Sequence, residues 1–347
     1  MKAAVLHQYN TSLNASEFVQ FEDVEEPTLQ SNTDVLVRVG GAGVCRTDLH
    51  VIEGIWRQKV DVKLPYIMGH ENAGWIEQTG KGVEGFKKGD PVICHPLNSN
   101  CHALAARRGH DMHVEGSEFP GISTNGGYAE LLRTGISALI KLPQTLAPKD
   151  VAPYADAGLT AYHVAKKAAA HLLPGEKVVV IGVGGLGHIG IQVLSVLCAA
   201  DIIALDRSDA ALSHAKECGA RETVKADEHQ VEAVAALTDG KGAEAVIDFV
   251  GEGNSIQNGL AMTRNNGTYY IVGYGGEIRI PAIDMITTER RIVGNLVGNY
   301  AELVELMELA DRGKVKLATK YYKLENANQA LHDLNEGKIR GRAVLVP

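Results

Sequence analysis

VVVIGVGGLGHIGIQVL, residues 178–194, runs from an unbroken apolar stretch through a glycine-rich turn into helical spacing. Gly182, Gly184 and Gly187 fit G-x-G-x-x-G, with Gly185 and Leu186 inside the turn. Gly185, Gly187 and Gly190 fit the same pattern, so spacing alone leaves the register open. The first set is favoured because its turn follows the strand directly. Such a turn lets a pyrophosphate approach the backbone and presents free N–H groups at a helix N-terminus. The next apolar run, DIIAL (201–205), ends at Asp206, nineteen residues after Gly187. A carboxylate there accepts both ribose hydroxyls of NAD and repels the 2′-phosphate of NADP. Arg207 follows it, a cation that could meet such a phosphate. The bland alternative is a tight turn with nothing bound; strand, helix and acid together weigh against it.

The same alternation continues outward. KVVVI (177–181), DIIAL, EAVIDFV (244–250) and TYYIVG (268–273) have the look of buried strands. Between them, 186–198, 208–218, 229–238 and 254–264 have helical length and pattern, with Ser208 and Asn254 as expected N-caps. Strands alternating with helices predict a doubly wound parallel sheet, an α/β unit with helices on both faces. Upstream the texture is different. VLVRVGGAGV (35–44), GWIEQTG (74–80) and DPVICHP (90–96) are short runs broken by turns, as in a mostly-β unit. After the alternating region come RIVGNLVG (291–298), a charged helix over 301–312 and a closing strand in RAVLVP (342–347).

With 347 residues, two domains are expected. Net charge is −8 with no long basic run, which argues against nucleic acid as a partner. No run of about 18 apolar residues predicts a membrane span. MKAAVLHQYN is too short in its apolar part for a signal peptide and reads as a first strand. Five scattered cysteines make a disulfide framework unlikely to be the organising device, and a cytoplasmic location is expected.

Three short segments concentrate chemistry. GVCRTDLH (43–50) carries Cys45, Thr47, Asp48 and His50; GHENAGWIEQTGKGV (69–83) carries His70 and Glu71; PYADAGLTAYH (153–163) carries Asp156. Singly, each has an ordinary reading: a core cysteine, a hydrogen-bonded histidine, a helix cap. Together, in this order and spacing, they resemble the zinc-containing alcohol dehydrogenases of the medium-chain dehydrogenase/reductase family, over nearly the whole chain. Gly69, His70, Glu71, Gly74, Gly80 and Val83 follow that family's G-H-E-x2-G-x5-G-x2-V pattern.

The resemblance implies a GroES-like, mostly-β catalytic domain (1–156 and 298–347) and a Rossmann cofactor domain (157–297). It implies Cys45, His70 and Asp156 as the ligands of one catalytic zinc, with a fourth position for water or substrate. Asp48 would orient the histidine ligand, and Glu71 would stand beside the metal. Thr47 would take the alcohol proton and a relay would end at His50. Zinc would polarise the substrate oxygen while NAD exchanges the hydride. Val250 and Gly251, Val272 and Gly273, Leu296 and Val297, and Arg342 match further cofactor contacts, Arg342 at the pyrophosphate.

The family's usual structural-zinc lobe is recognisable in CHALAARRGHDMHV (101–114), but Asn100, Ala103, Ala106 and Val114 stand at its four thiolate positions. No structural zinc is therefore expected. An improvised site from Cys101, His102, His110 and His113 has no standard spacing. Competing readings are a zinc-free quinone or enone reductase of the same fold, a polyol dehydrogenase, and a non-catalytic dinucleotide-binding protein. A homotetramer, a dimer of dimers, is expected, the apolar strand in RIVGNLV pairing across a two-fold axis.

Overall fold

The structure is a computed structural model and describes residues 1–60 and 62–347. It divides into two compact units, one of Met1–Leu159, Gly298–Asp311 and Leu317–Pro347, the other of Thr160–Val297 and Arg312–Lys316.

The second unit holds the parallel sheet. Among the described residues its strands run in the order Glu222–Lys225, Asp201–Asp206, Lys177–Ile181, Ala243–Asp248, Thr263–Ile271, Arg291–Gly294. Every pairing in this sheet is parallel. The order reverses direction beside Lys177–Ile181, the strand that leads into the glycine turn, and a ligand crevice is expected at such a switch point. Val179, Ile181, Ile203, Leu205, Val246 and Tyr269 are buried in one core cluster. Ser208 caps the helix Asp209–Glu217, its side chain accepting from Ala211 N. Asn254 does not cap the helix Ser255–Met262. Its backbone, at φ −92° and ψ 5°, lacks the extended geometry that aims a capping side chain at the first turn.

The first unit is built on a long strand, Asp34–Val44. It pairs antiparallel with Glu71–Thr79, Leu131–Gly135 and Arg342–Val346. The register sets Gly43 opposite Glu71 and Val44 opposite Ala343. That pairing carries three distant segments, around Cys45, His70 and Arg342, to one end of one strand. Val37, Leu49, Ile76, Val92, Tyr128 and Leu345 are in the core beneath. The helix expected over 301–312 is Tyr300–Asp311. Asn299 and Glu302 close its N-terminus reciprocally, Asn299 Oδ1 accepting from Glu302 N and Glu302 Oε2 from Asn299 N.

Candidate metal centre and dinucleotide turn

Cys45 follows the long strand directly and is the N-cap of the helix Arg46–Ile52. His70 immediately precedes the strand Glu71–Thr79, and Asp156 follows the short helical turn Ala152–Ala155. That turn packs on both strands and so brings Asp156 to the other two. One donor atom from each of Cys45, His70, Glu71 and Asp156 lies within 4.8 Å of all the others. Among the described residues this is the group able to hold a metal.

Several buried atoms here have no hydrogen-bond partner: both ring nitrogens of His70, Asp48 Oδ1, Glu71 Oε2 and Asp156 Oδ1. Orphaned polar atoms at zero exposure are rare in native cores unless an ion completes them. His70 Nε2 lies 3.4 Å from Asp156 Oδ2, and Nδ1 lies 3.2 Å from Asp48 Oδ1. Both contacts have ion-pair range without hydrogen-bond alignment. Burial by itself pulls the His70 pKa down, but Asp48 and then Asp156 outweigh it and hold it well above the ordinary histidine value. The acids around His70 call for a positive charge, which a divalent cation supplies directly. A thiol, an imidazole and a carboxylate suit zinc with an open fourth position.

Asp48 has a second task. Its Oδ2 accepts from Cys45 N at 2.8 Å, so the same carboxylate caps the helix and faces the histidine. Glu71 is fully buried, and its Oε1 accepts from Ala157 N and from Arg342 Nη2. Burial raises the Glu71 carboxyl, with Arg342 opposing. Arg342, expected from the resemblance at a pyrophosphate, is itself only 3% exposed and has its guanidinium on this carboxylate.

Thr47 and His50 are three residues apart on the helix Arg46–Ile52 and share a face. His50 is buried, and burial followed by the nearby Arg46 charge lowers its pKa to about 4. Its imidazole is therefore neutral at pH 7 and does not retain a proton there.

In the second unit, helix Gly187–Leu197 begins at the third glycine of the first register. A Cβ on Gly187 would lie 1.8 Å from the Gly182 carbonyl oxygen, so only glycine lets helix and strand meet. One on Gly184 would meet nothing within 4 Å, which leaves the turn open for a ligand's approach. Asp206 ends its strand beside this turn, Oδ2 accepting from Val183 N at 2.8 Å and Oδ1 from Ser208 N at 2.9 Å. Arg207 is exposed.

The loops after the strands Ala243–Asp248 and Thr263–Ile271 touch: a Cβ on Gly251 would lie 2.1 Å from the Gly273 carbonyl oxygen. Buried Asp248, not singled out from the sequence, organises them. Its Oδ1 accepts from Val250 N and Gly251 N, and Oδ2 from the Tyr269 hydroxyl at 2.7 Å. An acid closing a strand, like Asp206, is the signal that could have found it. Val272 N donates to the Asp248 carbonyl. Leu296 is half exposed, while Val297 is buried at φ +49°, a strained conformation for a β-branched residue.

The 101–114 lobe is tied to the rest of its unit without thiolates. Asn299 Nδ2 donates to Gly109 O at 3.0 Å, and Tyr300 N donates to Asp111 Oδ2 at 2.9 Å. Cys101 is exposed, and His102 sits on Arg107.

Among known proteins, the alcohol dehydrogenase GroES-like domain matches residues 31–144 and the zinc-binding dehydrogenase domain matches 185–312. An NAD-dependent alcohol dehydrogenase of Sulfolobus acidocaldarius is 36% identical over 356 residues, 99% of each chain. A D-arabinose 1-dehydrogenase (NADP(+)) of Saccharolobus solfataricus is 33% identical, covering 100% of this chain and 97% of its own. The crystal structure of an alcohol dehydrogenase from the archaeon Aeropyrum pernix superposes with a TM-score of 0.96 at 46% identity, each chain covered in full.

Proposed function

Because the chain belongs to the zinc-type alcohol dehydrogenases of the medium-chain dehydrogenase/reductase family, we propose that the two sites divide its reaction as follows. The reaction is reversible hydride exchange between NAD and a primary or secondary alcohol, giving an aldehyde or ketone. Zinc held by Cys45, His70 and Asp156 supplies Lewis acidity toward the substrate oxygen. Thr47 accepts the hydroxyl proton and His50 is the last protein group of the relay, passing the proton to solvent without retaining it, since its imidazole is neutral at pH 7. Asp48 keeps the His70 ring in place, and Arg342 fixes the Glu71 carboxyl beside the metal, opposing the burial that raises its pKa.

The observation that carries this reading is the set of donor atoms within 4.8 Å in a buried site with orphaned polar atoms. A zinc-free reductase of the same fold has no use for such a set and is not favoured. Dialysis against a chelator is expected to abolish NAD-dependent alcohol oxidation and added zinc to restore it. Full activity in verified zinc-free protein would contradict the reading.

Finer points belong to the same proposal. Zinc is one per chain, because the 101–114 lobe offers no thiolate set and its hydrogen bonds stand in for the metal crosslink. NAD is preferred to NADP through the Asp206 carboxylate. Arg342 would reach a pyrophosphate only by sharing its guanidinium with Glu71. The enzyme is cytoplasmic, a compartment that keeps all five free cysteines reduced, Cys45 included. It is a tetramer, a dimer of dimers, each dimer joined through the edge strand Arg291–Gly294. The adjoining helix Ala282–Thr288 exposes Ile283 and Ile286 at 63% and 71%, which supports burial against a second copy. A monomer by light scattering at micromolar concentration would remove that part.

A further inference from the structure

We infer that Tyr128 is a positioning residue for the metal centre, its phenol fixing Asp48 so that the carboxylate faces His70. The Tyr128 hydroxyl donates to Asp48 Oδ2 at 2.9 Å, with the Gly43 carbonyl as a longer neighbour at 3.3 Å. Asp48 Oδ2 also accepts from Cys45 N at 2.8 Å. Two donors on one oxygen set the plane of the carboxylate, and the other oxygen is left 3.2 Å from His70 Nδ1. Tyr128 and Asp48 are both at 0% exposure, so bulk water has no access to replace the phenol. Without it the carboxylate keeps a single donor and can turn about its last torsion, away from His70.

The fold makes room for this side chain specifically. Tyr128 N donates to Met68 O, and its carbonyl accepts from Ala4 N, so its backbone is held on both sides. Its ring then lies over Gly69, whose φ is +96°. A Cβ on Gly69 would lie 2.3 Å from Tyr128 Cδ1. The glycine that precedes the ligand histidine is thus the residue that admits the phenol ring. A phenylalanine would fill the same space and lack the hydroxyl.

The inference rests on the zinc reading above but fails separately from it. Zinc affinity is measured by competition with a chromophoric chelator on the full-length protein, for wild type and Tyr128→Phe. The expected result is a fall of about 10-fold or more, within the range for partners that orient metal-bound histidines. Tyr269→Phe removes a comparable buried phenol–carboxylate bond in the other unit and is expected to leave zinc affinity unchanged. 4-Aminophenylalanine at position 128 keeps a weaker donor and is expected to bind zinc with intermediate affinity. It also serves if Tyr128→Phe does not fold, since its zinc must still be held less tightly than in wild type. Wild-type zinc affinity in either position-128 variant overturns the inference, as does an equal loss in Tyr269→Phe. Wild-type protein that binds no zinc overturns the reading on which it rests.

Discussion

Asp48 Oδ1 stands 3.2 Å from His70 Nδ1, and neither side chain is exposed to solvent. The pair shows how the site divides its labour. The carboxylate holds the ring at Nδ1, while Nε2 faces Asp156. Asp48→Asn keeps the shape and removes the charge. Zinc affinity is expected to fall about 10- to 100-fold in chelator competition. Cys45 N keeps an acceptor in the amide oxygen, so the helix Arg46–Ile52 is expected to persist by circular dichroism.

The Glu71–Arg342 pair joins residues 271 apart in sequence, both fully enclosed. Removing one partner strands the other charge. Arg342→Met is expected to destabilise the zinc-free protein by about 3–5 kcal/mol in urea unfolding. The double variant Glu71→Gln/Arg342→Met is expected to recover a substantial part of that loss. No recovery would mean the arginine acts through packing alone.

Asp206→Ser tests cofactor choice. The carboxylate's interaction with ribose hydroxyls is a charged hydrogen bond of about 1.5–3 kcal/mol, so kcat/KM with NAD is expected to fall about 10- to 100-fold. Activity with NADP is expected to rise, helped by the adjacent Arg207. Steady-state kinetics with both cofactors checks the sign of each change.

His50 gives the fold an acid sensitivity. Its pKa is lowered from an ordinary 6.5 to about 4, first by burial and then by Arg46. The unfolded chain therefore binds a proton that the folded chain refuses between these values. Its contribution to stability is complete above pH 6.5 and is lost as pH falls toward 4. In zinc-loaded protein His70 holds metal instead of a proton, so comparing wild type with His50→Gln isolates the effect. Urea midpoints measured from pH 7 to 4.5 are expected to fall more steeply in wild type. Parallel profiles would remove His50 as the source.

What the sequence made legible follows from the range of the contacts. The glycine turn, its flanking strand and helix, and Asp206 are local, and periodicity with spacing reveals them. The candidate ligands Cys45, His70 and Asp156 were recognisable through the family resemblance that three short motifs carry, and the structure brings them together. Their meeting depends on strand register, Gly43 opposite Glu71 and Val44 opposite Ala343, which no local pattern encodes. The same applies to Tyr128, which is 80 residues from Asp48, and to the grip of Arg342 on Glu71. Asp248 sits inside the run EAVIDFV, which reads as one strand to 250, whereas the strand stops at Asp248 and its carboxylate gathers the 249–251 loop. The strand Thr319–Lys323 and the helix Ala327–Asn335 also escaped, being short and polar on one side.

The proposed reaction depends on a single zinc at Cys45, His70 and Asp156. Elemental analysis of purified wild type beside Cys45→Ser is expected to find one zinc per chain in wild type and a near-complete loss in the variant, while the 101–114 lobe stays folded. Two zinc ions per wild-type chain, or one retained in Cys45→Ser, would contradict it.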